Sequence, residues 1–168
     1  MDINNELTML INRAREENNL PPVRQASKLD TAAELHAAYM LQKGILSHSG
    51  RNNSSFDDRI QNEDYAFKSA AENVAFGANS AKAVLALWMD SPPHQANLLN
   101  EDFTEIGIGI APTLSARPDA TERYWSLSLA APFLPAGGAP SEEHTFEAEP
   151  LPVTTSTDPS DPGGGDLP

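Results

Sequence analysis

The chain has 168 residues, with 24 acidic and 11 basic side chains, a formal net charge of −13 and no cysteine. That balance argues against a nucleic-acid backbone or an anionic lipid surface as partner, since both need clustered Lys and Arg. Without cysteine there are no disulfides, no thiolate metal sites and no thiol catalysis, and the fold must be held by its core alone.

In chain order, Leu7, Leu10, Ile11 and Ala14 follow the spacing of an amphipathic helix, which Asn18-Asn19 and Pro21-Pro22 end. A second helix is predicted from about Leu29 to Lys43, with Leu29, Ala32, Ala33, His36, Ala37 and Met40 on one face. Gly44 stands where a helix takes a left-handed C-terminal residue. A polar stretch from His48 to about Tyr65 follows, with a short helical turn around Asp57 to Gln61. Ser80 is a good N-cap for a third helix that buries Val84, Leu85 and Trp88. Pro92-Pro93 stops that helix and opens a short one with Ser91 as N-cap and His94 in its first turn.

Two strands come next. Ile106, Ile108 and Ile110 alternate with Gly107 and Gly109, and Trp125, Leu127 and Leu129 alternate with Ser126 and Ser128. Each strand has one bulky apolar face and one face of very small residues, and the two glycines would let a helix or loop approach the sheet closely. Residues 112–122 form a loop too long for a tight turn. Helices with a small sheet make an α/β layered domain.

From Pro135 onward there is no Lys or Arg, and 7 of the 14 prolines, 5 of the 10 glycines and 7 of the 24 acids fall there. The division expected is a folded domain over 1–134 and an acidic Pro/Gly-rich linker or disordered tail over 135–168. The rest of the chain still has 17 acids against 11 bases. No apolar run approaches membrane-spanning length, the run from Val84 to Met89 being far too short. The start, Met1-Asp2-Ile3-Asn4, has neither a basic nor an apolar signal region, so the chain is either cytoplasmic or begins at the mature domain of a secreted protein.

Four patches carry candidate chemistry: Ser47-His48-Ser49, Phe56-Asp57-Asp58-Arg59, Ala71-Glu72-Asn73-Val74, and Trp88 with Ser91-Pro92-Pro93-His94-Gln95-Ala96-Asn97-Leu98-Leu99. From position alone, His48 is a solvated loop histidine or a site residue. His94, near the positive end of a short helix, is biased toward the neutral ring that metal coordination needs; alternatively it caps or packs that helix. Glu72, beside the apolar run Val74-Ala75-Phe76, is exposed at a turn or buried with a partner such as a histidine. Asp58 is a cleft acid, an N-cap or the ion-pair partner of Arg59. His36, on an apolar helix face, reads as a core histidine with a satisfied ring, Trp88 and Trp125 as core aromatics, and His144 as a tail residue with no specific role.

The order and spacing of these patches resembles the CAP superfamily of cysteine-rich secretory, antigen-5-like and pathogenesis-related proteins, and is most similar to its short, cysteine-free bacterial branch. The likeness covers roughly residues 3 to 133 and implies a three-layer α-β-α sandwich with a small, mainly antiparallel sheet. Gly44-Ile45-Leu46-Ser47-His48-Ser49 matches the family's first histidine motif, Glu72-Asn73 its central glutamate motif, and the segment from Ser91 to Leu98 its second histidine motif. Many relatives place a second glutamate between the first two; Asp58-Arg59 is the best match to the Asp-Arg pair that bacterial relatives carry there.

The resemblance implies a cleft formed by His48, Asp58, Glu72 and His94, bordered by the loop from Gly50 to Tyr65, in an extracytoplasmic protein. Three functions follow. The first is a non-enzymatic module that binds a small molecule or peptide, or a divalent metal such as zinc through His48 and His94. Two histidines make a weak site, since tight zinc sites use three or four protein ligands. The second is a metal-dependent hydrolase with Glu72 as general base, although the chain has no His-Glu-x-x-His helix and no Gly-x-Ser-x-Gly elbow. The third is a scaffold or adhesion module, with further domains beyond the tail.

Overall fold

The computed structural model describes residues 2–114 and 121–133. The expected tail over 135–168, with His144, lies outside the described residues, as does the middle of the 112–122 loop.

Helix α1, Ile3–Glu17, buries Leu7, Ile11 and Arg15, and Asn19 turns the chain out of it at φ 58°. A two-residue strand β1, Arg24–Gln25, leads into α2, Ser27–Lys43, which buries Leu29, Ala32, Ala33, His36, Ala37 and Met40 and ends at a left-handed Gly44. The polar stretch after it holds a short 3₁₀ turn, Arg51–Asn53, and α3, Phe56–Asn62. Strand β2 runs Phe67–Phe76, α4 Ala81–Met89 with Ser80 accepting from the Ala83 N–H, and α5 Pro92–Leu98. Strands β3, Glu105–Pro112, and β4, Arg123–Pro132, complete the sheet.

The strand order is β1-β3-β4-β2, parallel between β1 and β3 and antiparallel elsewhere. Strand β2 is therefore an edge strand. Its sequence, Phe-Lys-Ser-Ala-Ala-Glu-Asn-Val-Ala-Phe, has weak β propensity and no clean alternation. It becomes a strand by pairing with β4, from Ser69 opposite Ala131 to Phe76 opposite Tyr124, which is why local pattern did not reveal it.

The two faces of the sheet pack differently. The bulky face, with Ile106, Ile108, Trp125, Leu127 and Leu129, joins Leu7 and Ile11 of α1 and Ala81, Val84 and Trp88 of α4 in the main core. The small-residue face receives α2. A Cβ on Gly107 would lie 2.0 Å from the Leu29 carbonyl carbon, and one on Gly109 would lie 2.1 Å from that of Ala33. Glycine at both positions lets the α2 backbone rest on β3. Asp30 of α2 then accepts the Ile108 N–H at 2.8 Å, beyond the point where β1 has stopped pairing with β3. Helices thus cover both faces, giving an α-β-α sandwich.

Candidate functional site

Adjacent residues of a strand point to opposite faces, and Glu72 and Asn73 of β2 use this to hold the two histidine-bearing segments. Glu72 faces α2 and receives His48 Nδ1 on Oε1 at 2.9 Å. Asn73 faces α5, where its amide donates to the His94 carbonyl at 3.0 Å and accepts from Asn97 at 2.8 Å. The Glu-Asn dipeptide thus pins the loop of His48 and the helix of His94 from opposite sides of an edge strand.

Glu72 is buried, its side chain 1% exposed, and both its oxygens are engaged. Arg59 Nη2 donates to Oε2 at 2.5 Å, Ser126 Oγ lies 3.4 Å from the same oxygen, and His36 Nε2 lies 3.8 Å from it. Burial works to raise the carboxyl pKa, but the His48 hydrogen bond and the charge of Arg59 outweigh it and leave the group below its ordinary value. Glu72 is therefore an ionised carboxylate neutralised within the chain.

In the sequence Arg59 stands out only as the basic half of the Asp58-Arg59 pair, with no role of its own. Its guanidinium also donates to the Ser54 and His48 carbonyls, at 2.9 and 3.1 Å, so it fixes the backbone that carries His48. Gly50 makes room for it, since a Cβ there would lie 2.8 Å from Arg59 Nη1. Asp58, expected in the cleft, is instead part of a capping box: its carboxylate accepts the Ser55 N–H, and the Ser55 hydroxyl accepts the Asp58 N–H. Those bonds lower its pKa, and its side chain makes no bond to Glu72, His48 or His94. The signal that narrows the choice is electrostatic: a buried carboxylate needs a cation, and the stretch between His48 and Glu72 offers three, Arg51, Arg59 and Lys68, of which the fold brings Arg59 to Glu72.

The three described histidines differ in environment. The hydrogen bond to Glu72 raises the pKa of His48, whose side chain is 57% exposed and whose Nε2 is left uncommitted. His94 is half-buried; burial and then the charge of His48 lower its pKa, and its ring makes no hydrogen bond to a described residue. The expected bias toward the neutral ring is present, with burial as its largest cause and the His48 charge second. His36 is buried as expected, but its ring is satisfied on one side only. Nε2 donates to the Ser47 carbonyl at 2.8 Å, while Nδ1 has no partner. Burial lowers its pKa.

Arg15 anchors the end of the helix that carries His94. Fully buried, it donates to the carbonyls of Pro21, Leu98, Asn100 and Phe103, tying α1 to the C-terminal end of α5. Trp88 and Trp125 donate to the carbonyls of Val74 and Ala78 within the core. Among the described residues, no group of three or more His, Cys, Asp or Glu is arranged to hold a metal ion, and no helix is long and apolar enough to cross a membrane.

A family model described as the cysteine-rich secretory protein family, CAP, matches residues 8–121. The Bacillus subtilis protein YkwD is 31% identical over 100 residues, 60% of this chain and 39% of that protein. The B. subtilis membrane protein YlbC is 31% identical over 75 residues, 45% of this chain and 22% of that protein. The chain thus spans well under half the length of both. An extracellular Bacillus anthracis protein containing an SCP domain superposes with a TM-score of 0.65 at 26% identity, covering 75% of this chain and 39% of that one. An outer surface protein from Borrelia burgdorferi superposes at 0.62 and 22% identity, covering 78% of this chain and 96% of that one, a likeness of fold alone.

Proposed function

The chain belongs to the cysteine-rich secretory protein (CAP) family, and on that footing we propose that its cleft is a non-enzymatic binding site in which His48 and His94 meet the ligand while Glu72 and Arg59 hold His48 in place. The observation that carries this is the saturation of Glu72. A general base needs a carboxylate oxygen within reach of the proton it takes, and here Oε1 is held by His48 and Oε2 by Arg59. What remains open is imidazole: the exposed Nε2 of His48 and the unbonded ring of His94. Such a pair suits a small polar molecule or a peptide backbone. An unstructured peptide substrate tests the reading. No turnover above that of Glu72→Gln and His94→Ala is expected, and zinc-stimulated turnover lost in both variants would make the site a hydrolase.

A second reading has an observation of its own. A carboxylate on one imidazole nitrogen is the arrangement that orients the other toward a metal and raises its basicity. Glu72 does this to His48, and burial keeps His94 in the form that can coordinate. The two rings would hold a divalent ion, with water or the bound ligand completing its shell. With two protein donors the ion would be loosely held. Dialysis of a zinc-loaded sample should remove it; an ion that survives dialysis would call for further protein ligands.

We place this activity outside the cytoplasm, in keeping with the extracellular B. anthracis protein the chain resembles. Fractionation of the native host, with the chain in the cytosol, would overturn that placement.

A further inference from the structure

A cavity of about 280 Å³ lies between α2 and the 51–62 segment, next to the Glu72 network with which it shares Arg59 and His36. Its lining includes Leu35, His36, Tyr39, Arg51, Arg59 and Asn62, and no Asp or Glu, in a chain whose net charge is −13. We propose that this cavity binds a small organic monocarboxylate with an apolar or aromatic body, its carboxylate on Arg51 and its body against Leu35 and Tyr39.

Three features lead there. First, the two guanidinium groups are not equivalent. Arg59 is committed to Glu72 and to two carbonyls, whereas the Arg51 side chain has no hydrogen bond or ion pair to any described residue. Arg51 nonetheless has a fixed origin. It begins a turn in which Asn52 and Asn53 take left-handed conformations, φ 56° and 59°, and which is closed by the Gly50 N–H on the Ser54 carbonyl at 2.8 Å. A guanidinium presents only donors, in a fork that fits a carboxylate.

Second, one wall offers apolar and aromatic surface. Leu35 is 60% exposed there, and the half-buried Tyr39 ring beside it stacks on the buried His36 ring, 17° from parallel, which fixes its orientation. Third, the size is small and the adjoining space holds a carboxylate. About 280 Å³ lies just below the roughly 300–1,000 Å³ usual for ligand pockets, so the occupant is small. A contiguous hollow that shares Leu35, Arg59 and Asn62 carries Glu63, which would repel a second negative group. Hence one carboxylate rather than two.

The carboxylate can come from a free acid or from the C-terminus of a peptide. The test uses the full chain, titrated with 3-phenylpropionate and followed by NMR, with 3-phenylpropionamide as the neutral control. Saturable binding of the acid alone is expected. Arg51→Glu should weaken it by at least about tenfold, Arg51→Lys, which keeps the charge but loses the fork, should weaken it by less, and His94→Ala should leave it unchanged. Arg51 is exposed and bonds nothing, so these variants should keep the wild-type circular dichroism. In a second arm, a tripeptide ending in Phe is compared as free acid and amide. If the peptide acid binds as well, the source is a chain terminus; if only phenylpropionate binds, it is a free acid. No saturable binding of either acid, or equal binding by Arg51→Glu, would overturn the proposal, and because His94 takes no part its failure would leave the reading of the main cleft untouched.

Discussion

Arg59 donates to Glu72 Oε2 at 2.5 Å, with the arginine side chain 11% exposed and the glutamate 1%. The guanidinium thus occupies the stretch of sequence where the CAP resemblance led us to expect a second acid. The charge of Glu72 is balanced inside the chain, while His48 Nε2 and both ring nitrogens of His94 make no hydrogen bond to a described residue. Removing Arg59 would strand a buried carboxylate, which typically costs about 3–5 kcal/mol. Arg59→Met should lower the unfolding free energy in urea by an amount of that order. The loss should be clearly smaller in a Glu72→Gln background, where no charge is stranded. Equal losses in the two backgrounds would mean that Arg59 acts by packing alone.

The histidines should separate on titration. Heteronuclear NMR of the imidazoles is expected to find His48 titrating above the usual value of about 6.5 and His36 and His94 below it. The folded pKa of His48 is raised, so its contribution to stability is full below about 6.5 and fades as pH rises through the folded value. That of Glu72 is lowered, so its contribution holds above about 4.3 and is lost as pH falls through the folded value. His36 opposes His48: its lowered pKa stabilises the fold above about 6.5 and that contribution is lost on acidification. Glu72→Gln should bring His48 back toward its ordinary value. An unchanged His48 in that variant would show that the hydrogen bond does not control its titration.

Gly107→Ala and Gly109→Ala should each destabilise strongly, because the new methyl would meet α2 backbone rather than a side chain that can swing away. Overpacking usually costs about 1–3 kcal/mol, and these two should lie at or beyond the upper end. Gly44→Ala, at φ 66° with nothing within 4 Å, should cost roughly 1 kcal/mol through backbone conformation alone. Thermal or urea unfolding of the three variants checks the order.

Arg15→Met should leave four buried or half-buried carbonyls without their donor. Unsatisfied buried acceptors cost about 1–3 kcal/mol each, so a total loss of at least about 3 kcal/mol is expected in urea unfolding. Because two of those carbonyls lie at and just beyond the C-terminal end of α5, the backbone signals of Pro92–Leu98, and of His94 among them, should broaden or shift. Wild-type stability would contradict this role.

The parts of the fold written in short-range pattern were legible. The i, i+3, i+4 spacing identified the face of α2, Gly44 its left-handed end and Ser80 the start of α4. The alternation of Ile with Gly foretold the close approach that α2 makes. What local pattern could not supply was anything decided by a distant partner. Strand β2 has a strand's conformation only because β4 pairs with it. Asp58 and Arg59 are neighbours in sequence, yet α3 directs one to its own N-terminus and the other to Glu72. Arg15 sits on a helix face where an apolar residue would be expected, and its reason lies more than 80 residues away, at Leu98, Asn100 and Phe103.

The central claim is that His48 and His94 open onto one shared site while Glu72 does not. Calorimetric titration of the metal-stripped chain with zinc, beside a His48→Ala/His94→Ala double variant, tests it most directly. The account predicts weak, saturable binding of about one ion per chain that disappears in the double variant. Identical traces for the two proteins would contradict it, and Glu72, Arg59 and His48 would then be a hydrogen-bonded network that holds the edge of the sheet.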